Sequence, residues 1–119
     1  MKCHSLVTAL SFATLATACA SIPAPQERLV ASQSAIRAAE EVGANDVPAA
    51  ALHLQLAREQ TDHAKKLMQQ GDNHRAEYSL LRAEADAELA LQLAKEAPAR
   101  AEAQAALDKV QALKQKSAR

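Results

Sequence analysis

Residues 71–97 read GDNHRAEYSLLRAEADAELALQLAKEA, and the way this stretch begins and repeats decides the fold. Gly71-Asp72-Asn73 breaks a helical pattern and leaves a turn of only two or three residues. The helix that starts near Asn73 or His74 must therefore come back antiparallel to the one before it. From there Ala76, Leu80, Ala83, Ala87, Ala90, Ala94 and Ala97 recur at alternating steps of four and three, a heptad seam. All but one of these residues is alanine, so the helix covering the seam has to approach closely. Tyr78, Leu81, Ala85, Leu89 and Leu93 form a flanking stripe, which predicts that the same helix touches two neighbours.

On the N-terminal side of the turn, a helix is expected from about Pro48 to Gln70, its inward stripe reading Leu52, His53, Leu56, Ala57, Gln60, Ala64, Leu67 and Met68. The linker Ala44-Asn45-Asp46-Val47-Pro48 precedes it, with Asp46 placed to cap the helix and Pro48 in its first turn. An earlier helix runs from Pro25 to about Val42, with Glu27 near its start, and Gly43 is the natural stop. On the C-terminal side, Pro98 sits inside a helical pattern that continues through Ala99, Ala103, Ala106, Val110 and Leu113. Proline removes a hydrogen-bond donor and clashes with the preceding turn. Either one long helix kinks there or a fourth helix begins; the lack of glycine around Pro98 favours the kink. The expected fold is all-α, an antiparallel bundle of three to four helices with a long C-terminal helix kinked near Pro98.

Residues 1–18 have a different character. Lys2 is followed by an apolar run from Leu6 to Leu15 and then by small residues ending at Cys19, the order of a secretory signal peptide. Thr8, Ser11 and Thr14 interrupt a run that already falls short of the roughly 20 apolar residues a membrane span needs. Two peptidases can read this junction. Ala16-Thr17-Ala18 fits ordinary signal cleavage, and Leu15-Ala16-Thr17-Ala18-Cys19 resembles a lipobox, although lipoboxes usually carry Leu where Ala16 stands. A cysteine directly after the small residue, followed by the Pro-containing tether Ala20-Ser21-Ile22-Pro23-Ala24-Pro25, favours acylation of Cys19. The domain division is then a leader at 1–18, a lipidated Cys19 with tether at 19–25, and a helical domain at 26–119.

Cleavage at Cys19 leaves a mature chain without a thiol, because Cys3 departs with the leader and Cys19 becomes a thioether; no disulfide or thiolate metal site is expected. The mature chain carries 13 cations against 14 anions, a balance that predicts no attraction to nucleic acid. Thirty of the 119 residues are alanine. Each buries little apolar area, so helix propensity carries more of the fold than usual.

Several stretches carry a resemblance to a known family: Cys19-Ala20-Ser21-Ile22-Pro23, Ala35-Ile36-Arg37-Ala38-Ala39, Gly43-Ala44, Pro48, Ala57, Gly71-Asp72, Ala76 and Ala83-Glu84-Ala85-Asp86-Ala87. They resemble short Ala-rich helical bacterial lipoproteins, a domain of unknown function sometimes found ahead of an OmpA-like peptidoglycan-binding domain. The resemblance covers roughly residues 19–97 and implies no known activity. More loosely, Gly71, Asp72, Ala76, Leu80 and Ala83 are similar to one tetratricopeptide hairpin. A single unit cannot form a binding solenoid, since about three are needed.

Candidate chemistry is sparse. His63 with Glu59 and His74 with Glu77 have spacings that put two ligands on one helical face, but a di-metal bundle needs such pairs repeated from facing helices. Glu84, Asp86 and Glu88 alternate around the helix instead of converging, with Arg82 nearby as part of a solvated face. Ser32, Ser34 and Ser79 have no basic neighbours, and both mature-chain glycines, Gly43 and Gly71, are helix stops. No enzymatic activity and no cofactor is expected. The basic segment Lys109, Lys114, Lys116 and Arg119 suits a helix C-terminus.

The expected function is a lipid-anchored, periplasm-facing interaction or scaffold module of the bacterial envelope, held at the membrane through Cys19. Ala20 after the cysteine, in place of Asp, points to the outer membrane. The candidate interaction residues are Ala103, Ala106, Val110 and Leu113, whose stripe a short chain cannot bury alone, with a second copy or an envelope protein as partner. The alternative is a soluble secreted or periplasmic helical binder of a small ligand or metal.

Overall fold

A computed structural model describes residues 22–118. The expected leader and Cys19 lie outside them. Three α-helices account for nearly all of this span: α1 (Gln26–Glu41), α2 (Pro48–Gln69) and α3 (Asn73–Ser117). One turn of 3-10 helix, Ala44–Asp46, joins α1 to α2, and no strand occurs among the described residues.

Both joints are built by glycine. Gly43 has φ +81° and Gly71 φ +77°, a left-handed conformation that residues with a Cβ rarely adopt. At the second joint the Asp72 N–H donates to the Leu67 carbonyl at 2.9 Å and the Gly71 N–H to the Met68 carbonyl at 3.0 Å. This pair of bonds is the Schellman ending of a helix. Asp72 then caps α3, its carboxylate accepting from the Arg75 N–H at 3.3 Å. One residue thus closes α2 and opens α3, which forces the antiparallel return. At the first joint the expected cap by Asp46 is absent: Val47, in extended conformation, precedes the helix and Pro48 fills its first position.

α2 packs antiparallel to α3, and α1 lies against both, running parallel to α3. Ile36, Ala39, Ala44, Ala50, Leu54, Ala57, Ala87, Ala90 and Ala94 form one buried cluster, while Ala64, Leu67, Ala76 and Leu80 form a second near the α2–α3 turn, with Leu29 and Met68 against it. The seam on α3 is core as its spacing predicts, with Ala76, Leu80, Ala83, Ala87, Ala90 and Ala94 all buried. On α2 the expected stripe is displaced. The buried residues are Ala50, Leu54, Ala57, Thr61, Ala64 and Leu67, whereas Leu52 is 57% exposed. Leu54 is fully buried, and His53, Leu56 and Gln60 flank the true stripe half-buried. The neighbours α1 and α3 set this rotation, and the polar residue it buries is satisfied locally: Thr61 donates to its own helix at the Ala57 carbonyl (2.8 Å), so it enters the core without leaving an unmet donor. Ser32 on α1 does the same toward the Leu29 carbonyl at 3.0 Å.

α3 runs through Pro98 as one helix, so no separate fourth helix forms. Every described residue beyond Ala97 is exposed. The bundle ends there, and the remaining 20 helical residues, 98–117, project as a single arm about 30 Å long at 1.5 Å per residue.

Candidate interaction surface

The surroundings of α3 divide into three sectors. Toward α2, Asp86 accepts from Gln60 Nε2 (2.8 Å) and meets His53 Nδ1 (2.9 Å), while Ser79 Oγ donates to the Gln60 carbonyl at 2.8 Å. Toward α1, Glu84 faces Arg28 at 3.5 Å, and Leu91 packs on the first core cluster. The third sector faces away from both helices. It carries Leu81 and Leu89, with Ala85 also exposed, and Tyr78 (59% exposed) stands at its edge beside a cleft shared with His63 of α2. This corrects the expected role of the stripe from Tyr78 to Leu93. α3 does touch two neighbours, but α1 meets it along Glu84 and Leu91; only Leu93 of that stripe packs against the core.

Ala103, Ala106, Val110 and Leu113 are all exposed on the arm, Val110 by 47% and Leu113 by 61%. Leu107, also exposed, borders the same stripe and was hidden in the sequence by its place one residue off the heptad. On a continuous helix the step of two from Ala97 to Ala99 turns the stripe by about 200°. The arm residues therefore do not prolong the buried seam. They fall in line with the outer sector of the bundle, where 85, 92, 99, 106 and 113 stand seven apart, as do 89, 96, 103 and 110. One solvent-facing stripe thus runs from Tyr78 to Leu113, interrupted by Gln92 and Glu96. Glu96 is engaged by Arg100 at 2.7 Å.

The start of the chain is tied to the other end of α3. Asn73 Nδ2 donates to the Ile22 carbonyl at 2.6 Å, so the residue three positions after Cys19 sits beside the α2–α3 turn. From there the arm tip is the full length of α3 away.

Elsewhere the surface offers shallow features. A cleft of about 390 Å³ between α1 and α2 is lined by Gln33, Arg37, Glu40, Arg58, Asp62 and Lys65. Two of its cations are already paired, Arg58 Nε donating to Glu40 at 3.1 Å and Lys65 Nζ to Asp62 at 2.9 Å. His63 lines a smaller cleft with Arg75, Tyr78 and Arg82, and His74 meets Tyr78 edge-on at 4.9 Å between ring centroids. Among the described residues no three His, Cys, Asp or Glu side chains gather as metal ligands. The imidazole–carboxylate pair of His53 and Asp86, missed by reading Asp86 as solvated, bridges two helices and holds α2 and α3 in register. The signal was present, because His53 and Gln60 stand seven apart and reach the same point of a facing helix.

Among the described residues no helix is long and apolar enough to cross a membrane. No curated protein and no solved structure matches the chain. A family profile described as "Domain of unknown function (DUF4398)" matches residues 27–106, which take in the whole bundle and the first part of the arm. The chain therefore belongs to the DUF4398 family.

Proposed function

We propose that the protein is a lipid-anchored helical interaction module of the bacterial envelope, attached through Cys19 at the periplasmic face of the outer membrane, and that the outer stripe of α3 is its binding face. The observation that carries this reading is the uncovered stripe itself. The three helices close their core without it, yet the apolar residues persist at heptad spacing through Ala103, Ala106, Val110 and Leu113. A solvated helix gains nothing from such spacing. The tether is in keeping with this reading: Asn73 holds its end at the α2–α3 turn, away from the arm, so the tether does not cover the stripe.

Mass spectrometry of the native N-terminus tests the anchor, an acylated Cys19 being the expected result. Cys19→Ala is expected to move the folded protein from the membrane fraction to the soluble periplasm. A variant that stays membrane-bound, or a native N-terminus beginning after Cys19 without lipid, would overturn the anchored reading in favour of soluble secretion.

A further inference from the structure

We propose that the partner of the outer stripe is a second copy of this chain, and that two α3 helices pair antiparallel about a point between Pro98 and Ala99. The proposal deepens the interaction reading above and rests on its binding face, not on the lipid.

The orientation comes from charge. Beside the apolar stripe, on one edge, stand Glu88, Lys95, Glu102 and Lys109, seven residues apart, alternating in sign. All four are exposed, and none takes part in an ion pair among the described residues. Flanking positions of this kind set partner choice and direction in paired helices. In an antiparallel pair such an edge meets its own copy. Glu88 then faces the second copy's Lys109 and Lys95 its Glu102, and the two-fold axis repeats both, giving four opposite-sign pairs and no like-sign pair. In a parallel pair the same edge meets the other flank of the stripe, five residues on. There Lys95 faces Arg100 and Lys109 faces Lys114, each twice, and every charged encounter is repulsive.

The stripe pairs in nearly the same register, its residues centring one position earlier, between Ala97 and Pro98, a shift of about 1.5 Å that the long flanking side chains can span. Ala85 lies opposite Val110, Leu89 opposite Ala106, Gln92 opposite Ala103 and Glu96 opposite Ala99, so each larger side chain meets an alanine. The polar residues fall in the middle, where Glu96 is already held by Arg100 and where a polar position penalises slipped registers. The paired stretch from Ala85 to Val110 spans more than three heptads, about 38 Å. That is the length at which a paired coil becomes sustained. From Ala85 onward the stripe residues are exposed, uncovered by α1 or α2, so neither bundle obstructs the other. The two tethers end at opposite ends of the dimer, about 75 Å apart.

Disulfide trapping in the full-length protein, expressed with its own leader, tests the orientation. Glu88→Cys with Lys109→Cys in one chain should yield an oxidised dimer on a non-reducing gel, whereas either single variant should not. The two positions are about 31 Å apart along one helix, so no intrachain bond competes. Lys109→Cys with Lys114→Cys, positions that face each other only in a parallel pair, should give no dimer; dimer from that variant and none from Glu88→Cys with Lys109→Cys would establish a parallel pair and overturn the proposal.

Sedimentation of the purified protein in detergent supplies the second arm. Lys95→Glu with Lys109→Glu should weaken self-association by about tenfold or more, and adding Glu88→Lys with Glu102→Lys should restore it. A wild-type chain that stays monomeric at all concentrations reached, or a fourfold variant that does not recover, would overturn self-pairing and leave the stripe to a different protein. Retained circular dichroism in each variant separates lost pairing from lost folding, and membrane fractionation of the same strains shows separately whether the Cys19 anchor holds.

Discussion

His53 on α2 and Asp86 on α3 meet at 2.9 Å across the edge of the alanine seam, and the second carboxylate oxygen of Asp86 takes the Gln60 amide at 2.8 Å. Two side chains one heptad apart on α2 thus converge on a single acceptor on α3. Alanine packing is nearly smooth along the helix axis and tolerates sliding. A polar clamp with fixed partners supplies the register that the core does not.

Removing the acceptor should therefore be felt more than its half-exposed position suggests. Asp86→Ala leaves His53 and Gln60 without their partner and should destabilise the fold by about 1–3 kcal/mol, a fall of roughly 4–8 °C in Tm per kcal/mol for a domain of this size. Glu88→Ala, two residues away and exposed, should change stability by less than about 0.5 kcal/mol. Thermal melts of the two variants at monomer concentrations decide the matter; equal shifts would mean that the clamp contributes nothing.

Gly71 is a test of backbone conformation alone. A Cβ placed there meets nothing within 4 Å, so any penalty comes from φ +77° and not from crowding. Gly71→Val should lower stability by about 1–2 kcal/mol, clearly more than Gln70→Ala, the exposed residue before it. Indistinguishable melting temperatures would argue that the turn relaxes into another form.

Ala87 and Ala85 are neighbours on opposite faces of α3, the first fully buried and the second exposed. Ala87→Leu should overpack the seam and destabilise it by about 1–3 kcal/mol. Ala85→Leu should leave the monomer within about 0.5 kcal/mol of wild type. Denaturant titration gives both values, and a stabilised Ala87→Leu would show that the seam holds unfilled space.

Pro98 interrupts the hydrogen bonding of α3 where the bundle ends. Pro98→Ala restores a donor to a helix interior in which proline costs about 3 kcal/mol, so the arm should gain helicity at 222 nm and slower amide exchange. The melting temperature of the bundle should hardly move, because no described residue beyond Ala97 is buried. A rise in Tm by the whole amount would show that arm and bundle unfold as one unit.

The heptad of Ala76, Leu80, Ala83, Ala87, Ala90 and Ala94 and the glycines at 43 and 71 were enough to determine, from the sequence alone, an all-α fold, the order of its first helices and the antiparallel return, with three helices or four left open at Pro98. These are local decisions: helical period and left-handed backbone act within a few residues of one another. What the tertiary structure decided is which side of each helix counts as inside. On α2, Leu52 and Leu54 are equally apolar, and only the positions of α1 and α3 bury Leu54 and leave Leu52 in water. On α3, the stripe of Ala99, Ala103, Ala106, Val110 and Leu113 reads as a continuation of the seam until the helix proves continuous through Pro98. The step of two residues then carries it to the opposite side. Asp86 looked solvated because its partners lie 33 and 26 positions away in the chain. Periodicity specifies a face relative to its own helix axis, but a rotation about that axis is set only by the neighbours, and those arrive through long-range packing.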